Sequence, residues 1–208
     1  MSLQSYNELV KLVEQGVITN VEHDQINAAS IDLTLGNKLL IEKVEYDTLS
    51  HKKLGCVSLR LKDKLNMYEH DLEGSSYILQ PGEFILAHTK QVFNLPNHIS
   101  AEYKLKSSMA RIGLEHLNAG WCDAGWNGSV LTLELKNMSR YHGIVLSLND
   151  PIGQVVFYTH QGVPKDRSYA ARGRYNGDTS VSGVKQHSPS MAAALDAVGK
   201  IGNLEVVK

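Results

Sequence analysis

Between positions 105 and 137 the sequence gathers hydroxyls, cations, carboxylates and indoles into a stretch otherwise built of small and apolar residues. Its first part, Leu105-Lys106-Ser107-Ser108-Met109-Ala110-Arg111, sets two hydroxyls between two cations in a run able to open a short helix. Free amides at a helix start, flanked by Lys106 and Arg111, would make a local anion site. The same residues would serve equally as a serine cap with solvated cations on a surface helix. The second part, Asn118-Ala119-Gly120-Trp121-Cys122-Asp123-Ala124-Gly125-Trp126-Asn127-Gly128, is glycine-rich and carries Asp123 near Trp126. Turn aspartates are commonplace, and Trp126 suits either a base- or sugar-stacking platform or a core position. The third part, Val130-Leu131-Thr132-Leu133-Glu134-Leu135, reads as a strand. Alternation puts Glu134 on the face opposite Leu133 and Leu135. If that face meets solvent, Glu134 is an ordinary surface carboxylate. If it lines a cleft, partial loss of hydration suits it to general acid/base work.

The elements that must hold these residues are mostly strands. Short runs recur at 30–35, 38–44, 76–79, 83–88, 91–95, 101–105, 129–135, 143–148 and 152–158, with Gly36-Asn37, Pro81-Gly82, Pro96-Asn97 and Asp150-Pro151 between them. Many short strands with few helical stretches predict a mainly β chain: a sandwich, jelly roll or barrel. Ahead of them, Leu9, Val10, Leu12, Val13 and Val17 recur at helical spacing, with Ser5 and Glu8 as an expected capping box and Gly16 as the stop. Residues 51–74 are more charged and less periodic and read as an excursion from the β core, with a helical turn. Beyond Pro164 the chain turns polar and rich in Arg, Gly and Ser. Such a stretch buries little by itself, so the expected organisation is a β domain over 1–163 and a lid or tail over 164–208, ordered by ligand. Alanines give 191–198 helical propensity.

Composition narrows the partners. The 208 residues carry a formal net charge of −1, which gives no general pull toward nucleic acid or an anionic membrane. Phosphate binding would need a local cluster, which points to a small phosphorylated ligand. Cys56 and Cys122 have no C-x-x-C spacing and read as free thiols of a reducing compartment rather than a disulfide. The chain shows no signal-peptide pattern and no apolar run near the ~20 residues of a membrane span, so a cytoplasmic location is expected.

Several ordered motifs resemble the dCTP deaminase branch of the dUTPase-like superfamily. They are Ile26-Asn27-Ala28-Ala29-Ser30-Ile31-Asp32-Leu33-Thr34-Leu35-Gly36-Asn37, Gln80-Pro81-Gly82-Glu83-Phe84, Leu95-Pro96, the serine–arginine run and Ile152-Gly153-Gln154. The resemblance extends from the N-terminal helix to about Tyr175. It implies a distorted β-barrel or jelly roll assembled as a homotrimer, with sites shared between protomers. Carried over by position, the catalytic carboxylate falls on Glu134, which would move a proton from the attacking water to cytosine N3 and assist loss of ammonia from C4. Ser107 and the Ala119 carbonyl would hold that water. Arg111 would position the glutamate and the pyrimidine, while backbone groups of Thr132 and Leu133 would read the base edge. Asp123 would accept from the deoxyribose 3′-hydroxyl, with Trp126 packing near the sugar. Lys106, Ser108, Gln154, Tyr169 and Arg174 match phosphate-contacting positions, Met109 and Ala110 complete the binding run, and Lys106 would serve a neighbouring subunit.

Zinc-dependent deaminases need a His or Cys followed by Glu, and a later P-C-x-x-C pair. Neither pattern occurs here, so a deaminase of this sequence is expected to work without zinc. Magnesium would arrive with the nucleotide phosphates rather than at a protein site. Against the family pattern, Arg174 stands for Lys and Asp178 for Gln, which sets a carboxylate toward the phosphates. One residue is missing before Asp123 and one is added after Gly128, which predicts a bulge near Gly128-Ser129. The expected activity is hydrolysis of dCTP to dUTP and ammonia. The alternatives are a bifunctional enzyme that goes on to dUMP, toward which Ala119-Gly120-Trp121 leans, and a non-catalytic nucleotide sensor on the same fold. A plain dUTPase lacks a counterpart of Glu134.

Overall fold

The computed structural model describes residues 2–43 and 65–185. After strand β1 (Ser2–Leu3), helix α1 (Tyr6–Glu14) buries Leu9 and Leu12. The helix closes where Gly16 adopts φ +71°, with the Val17 amide donating to the Leu12 carbonyl at 2.9 Å and the Gly16 amide to that of Val13 at 3.0 Å. These two crossed bonds form a Schellman turn, which glycine enters without a Cβ penalty. Ser5 is the N-cap, but the expected capping box does not form. Its hydroxyl donates to the Glu8 carboxylate, so its oxygen does not cap the backbone.

Strands β2 (Ile18–Thr19), β3 (Ile31–Thr34), β4 (Lys38–Glu42), β5 (Met67–Asp71), β6 (Ser76–Leu79), β7 (Phe84–Asn94) and β8 (Ile99–Leu105) follow. Then come helix α2 (Ser107–Arg111) and strands β9 (Leu114–His116), β10 (Trp121–Cys122), β11 (Asn127–Asn137), β12 (Ile144–Ser147) and β13 (Pro151–Thr159). A 3-10 turn (Lys165–Arg167) and helix α3 (Tyr169–Arg172) end the regular structure. One sheet runs β1-β13-β8-β10 with β3 added to β13. The other runs β5-β4-β7-β11-β9 with β2 added to β7, and β12 pairs with β6. Inward residues of both sheets, among them Ile31, Leu33, Tyr103, Val155 and Phe157 from one and Leu39, Ile85, Leu133 and Leu135 from the other, form one core. Each fully buried Leu, Ile or Phe contributes about 1.5–3 kcal/mol.

Three differences from the sequence reading have physical causes. The expected strands at 83–88 and 91–95 are one strand, β7, because the polar side chains where they meet, Thr89 and Gln91, are satisfied inside the sheet. Thr89, Lys90 and Gln91 stand opposite Leu131 alone, since Val130 pairs with Val92 and Thr132 with His88. Thr89 and Gln91 are fully buried. The Thr89 hydroxyl accepts from the Leu131 amide at 3.0 Å, and the Gln91 carboxamide bonds the Thr34 amide and the Asn20 carbonyl. Left unpaired, each buried polar group would cost ~1–3 kcal/mol. Second, part of the supposed excursion is strand β5, paired along β4 and tied to it by Lys38, whose ammonium lies 2.7 Å from Glu69 and 2.8 Å from Asp71. Third, β9 and β10 are too short to show alternation.

The bulge forms where it was expected. Asn127 pairs with Asn94 and Ser129 with Phe93, leaving Gly128 unopposed at φ +61°. Cys122 is a free, buried thiol. Cys56, residues 51–64 and the helix expected at 191–198 lie outside the described residues.

Candidate active site

A cavity of about 620 Å3 opens on the outer face of β11. Glu134 lies opposite Leu86 on β7, and the burial of Leu131, Leu133 and Leu135 turns it away from the core, as alternation requires. Its side chain is 29% exposed, and Oε2 lies 3.4 Å from Nε2 of His116, a residue buried on β9. Both atoms are buried and neither has a hydrogen-bond partner, so they meet out of line for a hydrogen bond. The His116 ring packs against Tyr103, with centroids 4.5 Å apart. The catalytic candidate is therefore held against an imidazole on one side and open to the cavity on the other.

The backbone of β11 adds an edge that faces away from β7. The Val130 amide donates to the Asp178 carbonyl at 2.8 Å, and the Leu117 amide to the Glu134 carbonyl at 3.2 Å. Strand alternation turns the Thr132 peptide groups into the gap between these bonds, whereas those of Leu133 face β7. Leu133 itself is fully buried.

The far side of the cavity belongs to residues 119–126 and to the C-terminal segment. Gly125 adopts φ +87°, and a Cβ there would meet Ser168 Oγ at 1.9 Å, so glycine lets the chain beyond Pro164 seat against the turn. From α3 onward a strap of residues 174–185 returns across β11. It is fixed by the Gly177 amide on the Asn127 carbonyl at 3.1 Å and the Trp126 indole N–H on the Tyr175 carbonyl at 3.0 Å. Trp126 is 5% exposed and stacks on Phe93 at 5.2 Å, so its bulk is core and its N–H anchors the strap. Asp123 Oδ1 accepts from the Trp121 indole at 2.8 Å. Burial, with Asp123 adding to it, pushes the neighbouring Cys122 thiol up and keeps it protonated. Burial likewise raises the Tyr169 phenol, keeping it a neutral donor at the cavity wall.

The dCTP deaminase-like family model matches residues 3–160. The chain belongs to that family. A relative from Methanospirillum hungatei, "dCTP deaminase, dUMP-forming", is 40% identical over 135 residues, covering 64% of this chain and 68% of its own length. The "dCTP deaminase" of Haloarcula marismortui is 31% identical over 188 residues, 86% of this chain and 91% of the relative. Among solved structures, the 2′-deoxycytidine 5′-triphosphate deaminase from Agrobacterium tumefaciens superimposes with a TM-score of 0.58 at 20% identity. That match covers 76% of this chain and 47% of the other, so this chain spans about half of that one's length. The likeness shows the shared, mainly β fold.

The residues carried over from the deaminase family fall into two groups. Ala119, Asp123, Trp126, Thr132, Glu134 and Tyr169 line the cavity. Lys106, Ser107, Ser108, Met109, Ala110 and Arg111, which make up α2 and its cap, do not, and neither does Gln154. Lys106 is ion-paired with Asp32, which also accepts from Asn27 at 2.9 Å, and Gln154 accepts from Ser30 at 3.0 Å. Ser107, Ser108 and Arg111 are exposed. Arg174 lines an adjoining cleft of about 400 Å3 with Arg167, Arg172 and Tyr169, and donates to the Lys185 carbonyl at 2.8 Å. Asp178 is neutralised by Lys185 and accepts from Ser182 at 2.7 Å, which removes the like charge the sequence set toward the phosphates. His116 escaped the sequence reading, because only the pairing of β9 with β11 reveals its neighbour.

Proposed function

We propose that the chain hydrolyses dCTP to dUTP and ammonia, with Glu134 as the proton-moving group. The observation that carries this reading is Glu134 itself, a half-buried carboxylate facing a nucleotide-sized cavity on the strand where the family has its catalytic one. Water adds to C4 of the cytosine as Glu134 takes its proton and passes it to N3. The C4–N4 bond then breaks, and ammonia leaves with the proton of the new hydroxyl, restoring the carboxylate and leaving a C4 carbonyl. The Thr132 peptide edge would read the pyrimidine and Asp123 the 3′-hydroxyl. The Ala119 carbonyl would help to hold the water.

The α2 group completes the site only if it comes from elsewhere. In a homotrimer, Ser107 and Arg111 of one protomer would meet Glu134 of another, with Lys106, Ser108 and Gln154 on the phosphates beside Tyr169 and Arg174. Magnesium would be held through those phosphates; among the described residues no three His, Cys, Asp or Glu side chains converge on a protein site. The chemistry proposed needs no zinc. Among the described residues no helix is long and apolar enough to cross a membrane; a cytoplasmic location fits the free Cys122 thiol.

A second reading, the bifunctional route to dUMP, is favoured by the dUMP-forming names of relatives and by the Ala119-Gly120-Trp121 run. Incubation with dCTP and magnesium, followed by nucleotide separation and ammonia measurement, tests both. Equal yields of dUTP and ammonia are expected. Accumulation of dUMP and pyrophosphate would give the second reading, and nucleotide binding without turnover would leave a sensor.

A further inference from the structure

Of the two tryptophans beside Asp123, the buried one is committed to the core and the strap, whereas Trp121 is 56% exposed at the cavity wall. It stands on the edge strand β10, paired with β8 through Glu102, and one face of its indole lies over Tyr158, with centroids 6.2 Å apart and planes at 27°. Tyr158 is in turn held by its hydroxyl on Glu102 Oε2 at 3.2 Å. The indole is thus supported from behind and directs its N–H to Asp123 Oδ1. A carboxylate with one oxygen engaged this way has a fixed plane and presents its second oxygen to a ligand. The exposed indole face beside it offers apolar cover of the kind a sugar ring takes.

We propose that Trp121 is the positioning residue through which this site reads the deoxyribose. Its N–H sets Asp123 so that one oxygen accepts from the 3′-hydroxyl, and its free face closes over the sugar. The proposal rests on the cavity being the nucleotide site. Trp121→Phe removes the N–H while keeping an aromatic ring on Tyr158, and Glu134→Gln as background stops turnover. In that background, calorimetric titration with dCTP and with 2′,3′-dideoxycytidine triphosphate separates the roles. Trp121→Phe is expected to weaken dCTP about tenfold and the dideoxy analogue less than about threefold, a tenfold change being one hydrogen bond's worth of affinity. Equal weakening of both ligands, or of neither, overturns the assignment and leaves the deaminase reading standing. Failure of the unmodified chain to bind dCTP overturns both. Should the variant not fold, acrylamide quenching of the unmodified protein decides: dCTP is expected to shield the exposed indole, and unchanged quenching at saturating dCTP overturns the proposal.

Discussion

β11 and the strap of residues 174–185 form two walls of one cavity, and they are built differently. β11 is laddered to β7 along its length and to β9 at its end, with Leu131, Leu133 and Leu135 in the core. The strap touches β11 through a few hydrogen bonds and balances its charges internally, Asp178 against Lys185, with Arg174 and Lys185 over the Tyr175 ring. Opening β11 means opening the sheet, while freeing the strap breaks a handful of contacts. On the proposed function, proton transfer, which needs sub-ångström positioning, would fall to the first wall, and capture and release of the ligand to the second.

If that division is right, damage to the first wall cuts kcat and damage to the second raises KM. The largest effect is expected from Glu134→Gln, which should lower ammonia release by about 10^3-fold or more while dCTP still binds. Steady-state assay and calorimetry check this, and wild-type turnover would sink the mechanism. Next comes His116→Ala, which removes the imidazole beside Glu134 Oε2. It should lower kcat at least about tenfold with little change in KM, and a change confined to KM would place His116 outside the catalytic wall. On the strap, Lys185→Ala leaves Asp178 unpaired near the phosphates and should raise KM about three- to tenfold with kcat kept. Adding Asp178→Asn should restore most of the loss, the non-additivity expected of a coupled pair.

The smallest effect sits outside both walls. Burial holds the His88 imidazole below the ordinary histidine value. Its Nε2 accepts from the Lys38 amide at 3.3 Å, so the fold needs the neutral ring. Because the folded value is depressed, the stability His88 confers is complete above about pH 6.5 and is lost as pH falls through the folded value. Denaturant unfolding at pH 7 and pH 5 should show that loss, and His88→Asn should flatten it.

What the sequence disclosed follows from the range of the interactions involved. Strands such as Ser76–Leu79 and Ile99–Leu105 bury alternate residues in one core, and β11 does so clearly enough to place Glu134 on the outer face. The triplet at 89–91 looked like a break because its partners, Thr34, Asn20 and Leu131, are 40 or more residues distant. No residue of β5 is fully buried, so it has no alternation to read. The identity of Asp123's neighbour depended on which of two nearby indoles faces outward, and only the β10 pairing decides that. The Asp178–Lys185 pair is local, seven residues apart, and was open to a reading that looked for a nearby cation.

A strand is an odd–even counter, and Gly128 is where this one is reset. Because that residue has no opposite number on β7, every later position of β11 is displaced by one count relative to the turn that carries Asp123. Even-numbered residues thereby face the cavity and odd-numbered ones the core. Removing Gly128 alone would leave Asn127 and Ser129 adjacent opposite Asn94 and Phe93, so the later register would hold and the change of count would fall on the turn that carries Asp123.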